Sequence, residues 1–82
     1  MEFFWTEHAQ QNLAALDAVV QKRIAQNMRW FSAQEDPLSC AEPMAGEHGL
    51  SRYRIGSYRV FIRPDGTVLL VLRTRKRSEA YR

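Results

Sequence analysis

The sequence holds a single cysteine, and Cys40 alone can close no internal disulfide. Its two histidines, His8 and His48, are scattered and give no zinc-ligand spacing. No apolar run reaches eighteen residues, which excludes a transmembrane helix, and Met1-Glu2-Phe3-Phe4-Trp5 lacks the basic start and long apolar stretch of a secretory signal. The expectation is a reduced, cytoplasmic protein with no membrane contact, no metal and no cofactor. With 82 residues the chain is too short for several modules, so residues 1–82 read as one domain; 45% hydrophobic residues are enough for it to fold.

Acidic residues are scarce where basic ones concentrate. Residues 1–48 carry three Lys/Arg against seven Asp/Glu, whereas residues 49–82 carry nine against two, so a half of net charge −4 precedes a half of +7. Such asymmetry suits a polyanionic partner, most often nucleic acid; a membrane surface, an acidic protein or a merely solvated basic face are the alternatives.

Glu2 to Trp5 reads as a short strand, and the Thr6 hydroxyl suits a helix N-cap. Ala9, Leu13 and Leu16 recur at helical spacing, and Asp17 can cap a second helix whose inward face is Val20, Ile24, Met28 and Phe31. From Gln34 to His48, Pro37, Pro43 and Gly46 argue against helix and for a long connection. A strand meander follows. Gly56-Ser57 suits a two-residue turn pairing Ile55 with Tyr58, which sets Arg54 opposite Arg59. Pro64-Asp65-Gly66 suits a type I turn closed by a left-handed glycine, pairing Arg63 with Thr67 and Val60 with Leu70.

On these registers Tyr53, Ile55, Tyr58, Val60, Ile62, Val68, Leu70 and Leu72 share the face that helices cover. The other face collects Arg52, Arg54, Arg59 and Arg73 around Phe61, Leu69 and Val71, with Arg75 past the end of a last strand running Val68 to Thr74. Like charges opposite one another across strands destabilise a sheet, so folding does not explain the cluster. Arginine's planar fork grips phosphate oxygens in bidentate fashion and keeps its charge, which fits binding a nucleic-acid backbone or stabilising charge that develops on a phosphate. The tail RTRKRSEAYR adds Lys76, Arg77 and Tyr81. A tyrosine there can stack on a base, exchange a proton, or simply pack the terminus.

The stretches FFWTEHA, GEHGLSRYRIGSYRVFIRPDGTVLLVLR and RKRSEAYR, in this order and spacing, resemble the RelE/ParE superfamily of toxins from type II toxin–antitoxin modules. The resemblance covers essentially the whole chain. It implies an α+β fold: a short N-terminal strand and a helical hairpin packed on one face of a small antiparallel sheet. RelE-like members cut messenger RNA in the ribosomal A site without metal, by attack of the 2′-hydroxyl on the adjacent phosphate; ParE-like members poison DNA gyrase. On the first reading the resemblance assigns Arg59 to transition-state stabilisation and, by matching Tyr81 and Arg75 to the family's tail residues, counts both as catalytic. Arg52, Arg54, Arg73, Lys76 and Arg77 would bind RNA. AEPMAG resembles the loop in which a YoeB-like branch carries a catalytic glutamate, which makes Glu42 a candidate base. Implied partners are a cognate antitoxin, in a toxin–antitoxin hetero-oligomer, together with the ribosome and mRNA. A gyrase poison or an inactive antitoxin-binding relative are the alternatives.

Overall fold

Thr6 starts the first helix as its hydroxyl chemistry requires. In the computed structural model, which describes residues 2–46 and 49–76, its Oγ1 accepts the Ala9 amide at 3.2 Å, satisfying one of the free donors of the first turn. Strand β1 (Glu2–Trp5) precedes it and helix α1 (Glu7–Ala14) follows. Leu16, expected on that helix, lies in the turn beyond it, where its amide donates to Leu13 O and its carbonyl accepts from the Gln21 side chain at 2.7 Å. It still packs against the core. Asp17 takes the N-cap position of α2 (Ala18–Ser32), but its carboxylate makes no capping bond. Ile24 and Met28, one helical turn apart, carry the buried face.

The connection expected to lack regular structure contains a 3₁₀ turn at Pro37–Cys40 and a two-residue strand, β2 (Glu42–Pro43). Tyr53 holds it in place. Its ring stacks on Phe31 at 4.0 Å and meets Phe3 edge-on at 5.9 Å, and its hydroxyl donates to Pro37 O at 2.6 Å. Burial pushes the Tyr53 phenol well above the usual tyrosine range, because the phenolate would lose its water.

Strands β3 (Ser51–Ile55), β4 (Tyr58–Asp65) and β5 (Val68–Lys76) form the meander, and the sheet order is β1-β5-β4-β3-β2. The meander is antiparallel as expected, but β1 joins it parallel to β5, so the five-stranded sheet is mixed. The helices cover one face. There Ala9, Ile24 and Met28 meet Tyr53, Ile55, Val60, Ile62, Leu69 and Val71 in one buried cluster.

The first hairpin has the expected register, Ile55 opposite Tyr58 and Arg54 opposite Arg59. The second does not. Asp65 pairs with Val68 across a two-residue Gly66-Thr67 turn, with Gly66 at φ +62° matching Gly56 at φ +57° in the first turn. Pro64 therefore stays in the strand, opposite Leu69, where its missing N–H points away from β5 and removes no bond between the two strands. This register turns Leu69 and Val71 toward the helices and sends Val68 and Leu70 to the other face, the reverse of the expected assignment.

Candidate nucleic-acid interface

A bulge corrects the phase before the arginines arrive. Ile62 pairs with Val71 but Phe61 pairs with Arg73, which leaves Leu72 without a partner on β4. Past it, Arg73 and Arg75 return to the face away from the helices. Beyond Trp5 strand β1 has ended, so the backbone of β5 would lose its partners on that edge. Helix α1 and its cap supply them. The Thr6 amide and Oγ1 both donate to Val71 O at 3.0 Å, Oγ1 also reaches Leu72 O at 3.2 Å, and Asn12 Oδ1 accepts the Thr74 amide at 3.1 Å. Asn12 thus helps hold the segment that presents the two arginines. Sequence reading passed over it, because nothing in the spacing of Asn12 announces a contact with residue 74.

Two rows of side chains cross the open face. One runs Glu42, Arg52, Phe61, Arg73 over β2, β3, β4 and β5; the next runs Arg54, Arg59, Arg75 over β3, β4 and β5. Arg75, expected past the strand end, is within β5. Lys76 pairs with Tyr58 and so belongs to the helix-facing side, apart from these rows. Arg77, Tyr81 and His48 lie outside the described residues.

Each cation in the rows is held differently. Arg54 Nε meets Glu42 Oε1 at 2.6 Å, and Arg52 Nε stands 4.0 Å from the same oxygen. All three side chains reach solvent, so water and salt screen the pair. Arg59 is only 5% exposed. Its Nη1 donates to Gly56 O at 3.0 Å and Tyr58 O at 2.9 Å, which fixes the guanidinium against the first turn and leaves its buried Nε without an acceptor among the described residues. Arg73 lies over the Phe61 ring, its Cζ 4.7 Å from the centroid. Arg75 is exposed.

This arrangement can do two things chemically. Five guanidinium groups against one carboxylate make a field that attracts phosphates, and Arg59 offers a charge whose position is set before any ligand arrives. Glu42 brings a carboxylate into the same face, with one oxygen engaged by Arg54. Among the described residues no three His, Cys, Asp or Glu side chains come together as a metal site, and no helix is long and apolar enough to cross a membrane.

A family model described as the ParE toxin of type II toxin-antitoxin system, parDE, matches residues 3–81. Among solved structures, the chain is similar to the RelBE2 toxin–antitoxin complex of Mycobacterium tuberculosis, at 24% identity, 93% of this chain, 96% of that chain and a TM-score of 0.78. It is similar also to the chromosomal ParDE system of P. aeruginosa, at 17% identity, 93% and 95% coverage and a TM-score of 0.74. The intact E. coli RelBE complex follows at 14% identity, 92% and 94% coverage and a TM-score of 0.72. At these identities the structural likeness shows a shared fold. No curated protein matches the chain significantly.

Proposed function

The chain belongs to the ParE toxin family of type II toxin–antitoxin systems, within the RelE/ParE superfamily, and on the geometry of its arginine face we propose that it cleaves messenger RNA in the ribosomal A site. The observation that carries this reading is Arg59, buried and fixed by two turn carbonyls, with Arg54 and Arg75 on either side of it in one row. A preset cation flanked by two others suits the extra negative charge of a pentacoordinate phosphate, which exists only in the transition state.

In this reaction the 2′-hydroxyl gives its proton to a base and its oxygen bonds to the adjacent phosphorus. The bond to the 5′-oxygen breaks, and an acid protonates that leaving oxygen, giving a 2′,3′-cyclic phosphate and a 5′-hydroxyl. Arg59, with Arg75 beside it, stabilises the phosphorane, while Arg52 and Arg54 hold the backbone. Arginine stays protonated near neutral pH and makes a poor base. Glu42, ion-paired to Arg54 within these rows, is the carboxylate we assign to take the proton. The resemblance adds Tyr81, outside the described residues, to this set. The +7 half further suits an antitoxin whose acidic segment covers the arginine face, in keeping with neighbours solved as toxin–antitoxin complexes.

Induction in bacterial cells, followed by mapping of mRNA ends on translating ribosomes, tests the proposal. Cuts within A-site codons are expected, weakened about 10²- to 10³-fold in Arg59→Ala and reduced in Tyr81→Phe. One observation favours a second reading, a gyrase poison without chemistry of its own: the family model matched is that of ParE toxins. Growth arrest with intact messages and accumulating DNA breaks would select it, and the arginine rows would then be a docking surface.

A further inference from the structure

Phe61 is out of place for a residue that serves the core. It is 1% exposed, yet it stands on the sheet face opposite the helices and takes no part in the buried cluster. Its cross-strand neighbours on that face are Arg52 and Arg73. An aromatic ring buried under cations has one evident effect on them: its negative π-face holds a guanidinium lying over it.

Arg73 is the residue so held. Its Cζ is 4.7 Å from the ring centroid, and among the described residues it has no hydrogen-bond or ion-pair partner; its Nε is buried without an acceptor. An arginine placed to grip a phosphate presents the edge of its fork. Here Nε on that edge is buried, while the residue as a whole is partly exposed and its Cζ lies over the ring. A planar cation with an aromatic ring beneath it offers its upper face to a second flat π-system. The row Phe61–Arg73 is adjacent to the row Arg59–Arg75, two residues along the strands, which is about 7 Å. A single nucleotide spans that separation between its phosphate and its base.

We infer that Arg73, supported from below by Phe61, is a stacking platform for the nucleobase of the nucleotide whose phosphate meets Arg59. The inference rests on the RNA-cleaving reading and deepens it: phosphates are gripped by the row at Arg59, and a base is received by the row at Phe61. Stacking tolerates any base and rewards overlap, so a purine at this position is favoured over a pyrimidine.

Ribosomes programmed with an A-site codon, intact or carrying one abasic nucleotide at each position in turn, test the platform. With wild-type toxin, removing the base at one codon position is expected to slow cleavage about tenfold, the scale of one base–side-chain stack. Arg73→Lys keeps the charge and loses the planar face, and Arg73→Gln loses both. Both variants should cut the intact codon about tenfold more slowly and then be indifferent to the missing base. Phe61→Leu, which keeps the site apolar, should shift behaviour the same way. A wild-type rate insensitive to abasic substitution at all three positions would overturn the platform while leaving the RNA-cleaving reading intact. So would an Arg73→Lys variant that still loses tenfold with the base, or variants that lower only the thermal midpoint, as a mere lid over Phe61 would. Absence of cleavage by wild-type toxin on every message would overturn the RNA-cleaving reading, and the platform with it.

Discussion

The two faces of one sheet are built on opposite terms. Toward the helices, Val60, Ile62, Leu69 and Val71 lose all contact with water against Ile24 and Ala9, and each gains from burial. On the far face Arg59 and Phe61 are almost as buried, yet arginines lie side by side there with one ion-paired carboxylate among them. The same strands thus carry a face that stabilises the fold and a face that strains it. In a domain this small the first must outweigh the second with little to spare.

Cutting into the helix-facing side should produce the largest effect. Ile62→Ala or Ile24→Ala is expected to cost about 2–5 kcal/mol, enough in so small a core to leave much of the chain unfolded in thermal melts. Arg75→Ala, on the far face, should leave the melt nearly unchanged while weakening cleavage; equal losses of stability from both substitutions would break the comparison.

Tyr53 links the two faces, because its hydroxyl anchors the loop that carries Glu42. Tyr53→Phe leaves Pro37 O without its donor and should cost about 1–2 kcal/mol. The pH dependence follows from the same burial. The folded state holds the phenolic proton more tightly than the unfolded chain, so this contribution to stability is complete below about pH 10 and falls as pH rises beyond it. Melts across pH 8 to 11.5 should show that decline in wild type and a shallower one in Tyr53→Phe.

Asn12→Ala removes the acceptor of the Thr74 amide beside the bulge and should cost about 1 kcal/mol. Its cleavage activity should fall more than its melting midpoint suggests, because the bulge sets the faces of Arg73 and Arg75. The smallest change in stability, below about 1 kcal/mol, is expected from Glu42→Gln, whose ion pair is screened by solvent. That variant makes the arginine face more cationic, so its binding to the ribosome should depend more steeply on salt, and its cleavage should fall if Glu42 is the base.

Much of this was legible in the chain itself. Thr6, Ile24, Met28 and the Gly56-Ser57 turn were readable because capping, helical period and a two-residue hairpin are local chemistry. The second turn misled, since Pro64-Asp65-Gly66 fits two turn types, and the observed pairing sets Arg63 opposite Leu70 rather than Thr67, a shift of three residues that exchanges the faces of Leu69 and Leu70. Strand β2 was invisible for a different reason. Two residues carry no periodicity, and Glu42 pairs with Arg52 in a connection that the Tyr53 hydroxyl holds at Pro37 O.

By itself, then, the sequence determined the helix starts, the apolar stripe of the second helix, the first hairpin and the concentration of arginine in the second half, because each depends on residues close together in the chain. The grouping of Arg52, Arg54 and Arg59 follows from that first hairpin, but tertiary structure decided how Arg73 and Arg75 join them. Arg73 and Arg75 reach Arg59 through a bulge at Leu72, held by Thr6 and Asn12 from some sixty residues away, and Phe61 came to lie under Arg73 by the same pairing. Such contacts arise when separate elements meet, and no local preference encodes them.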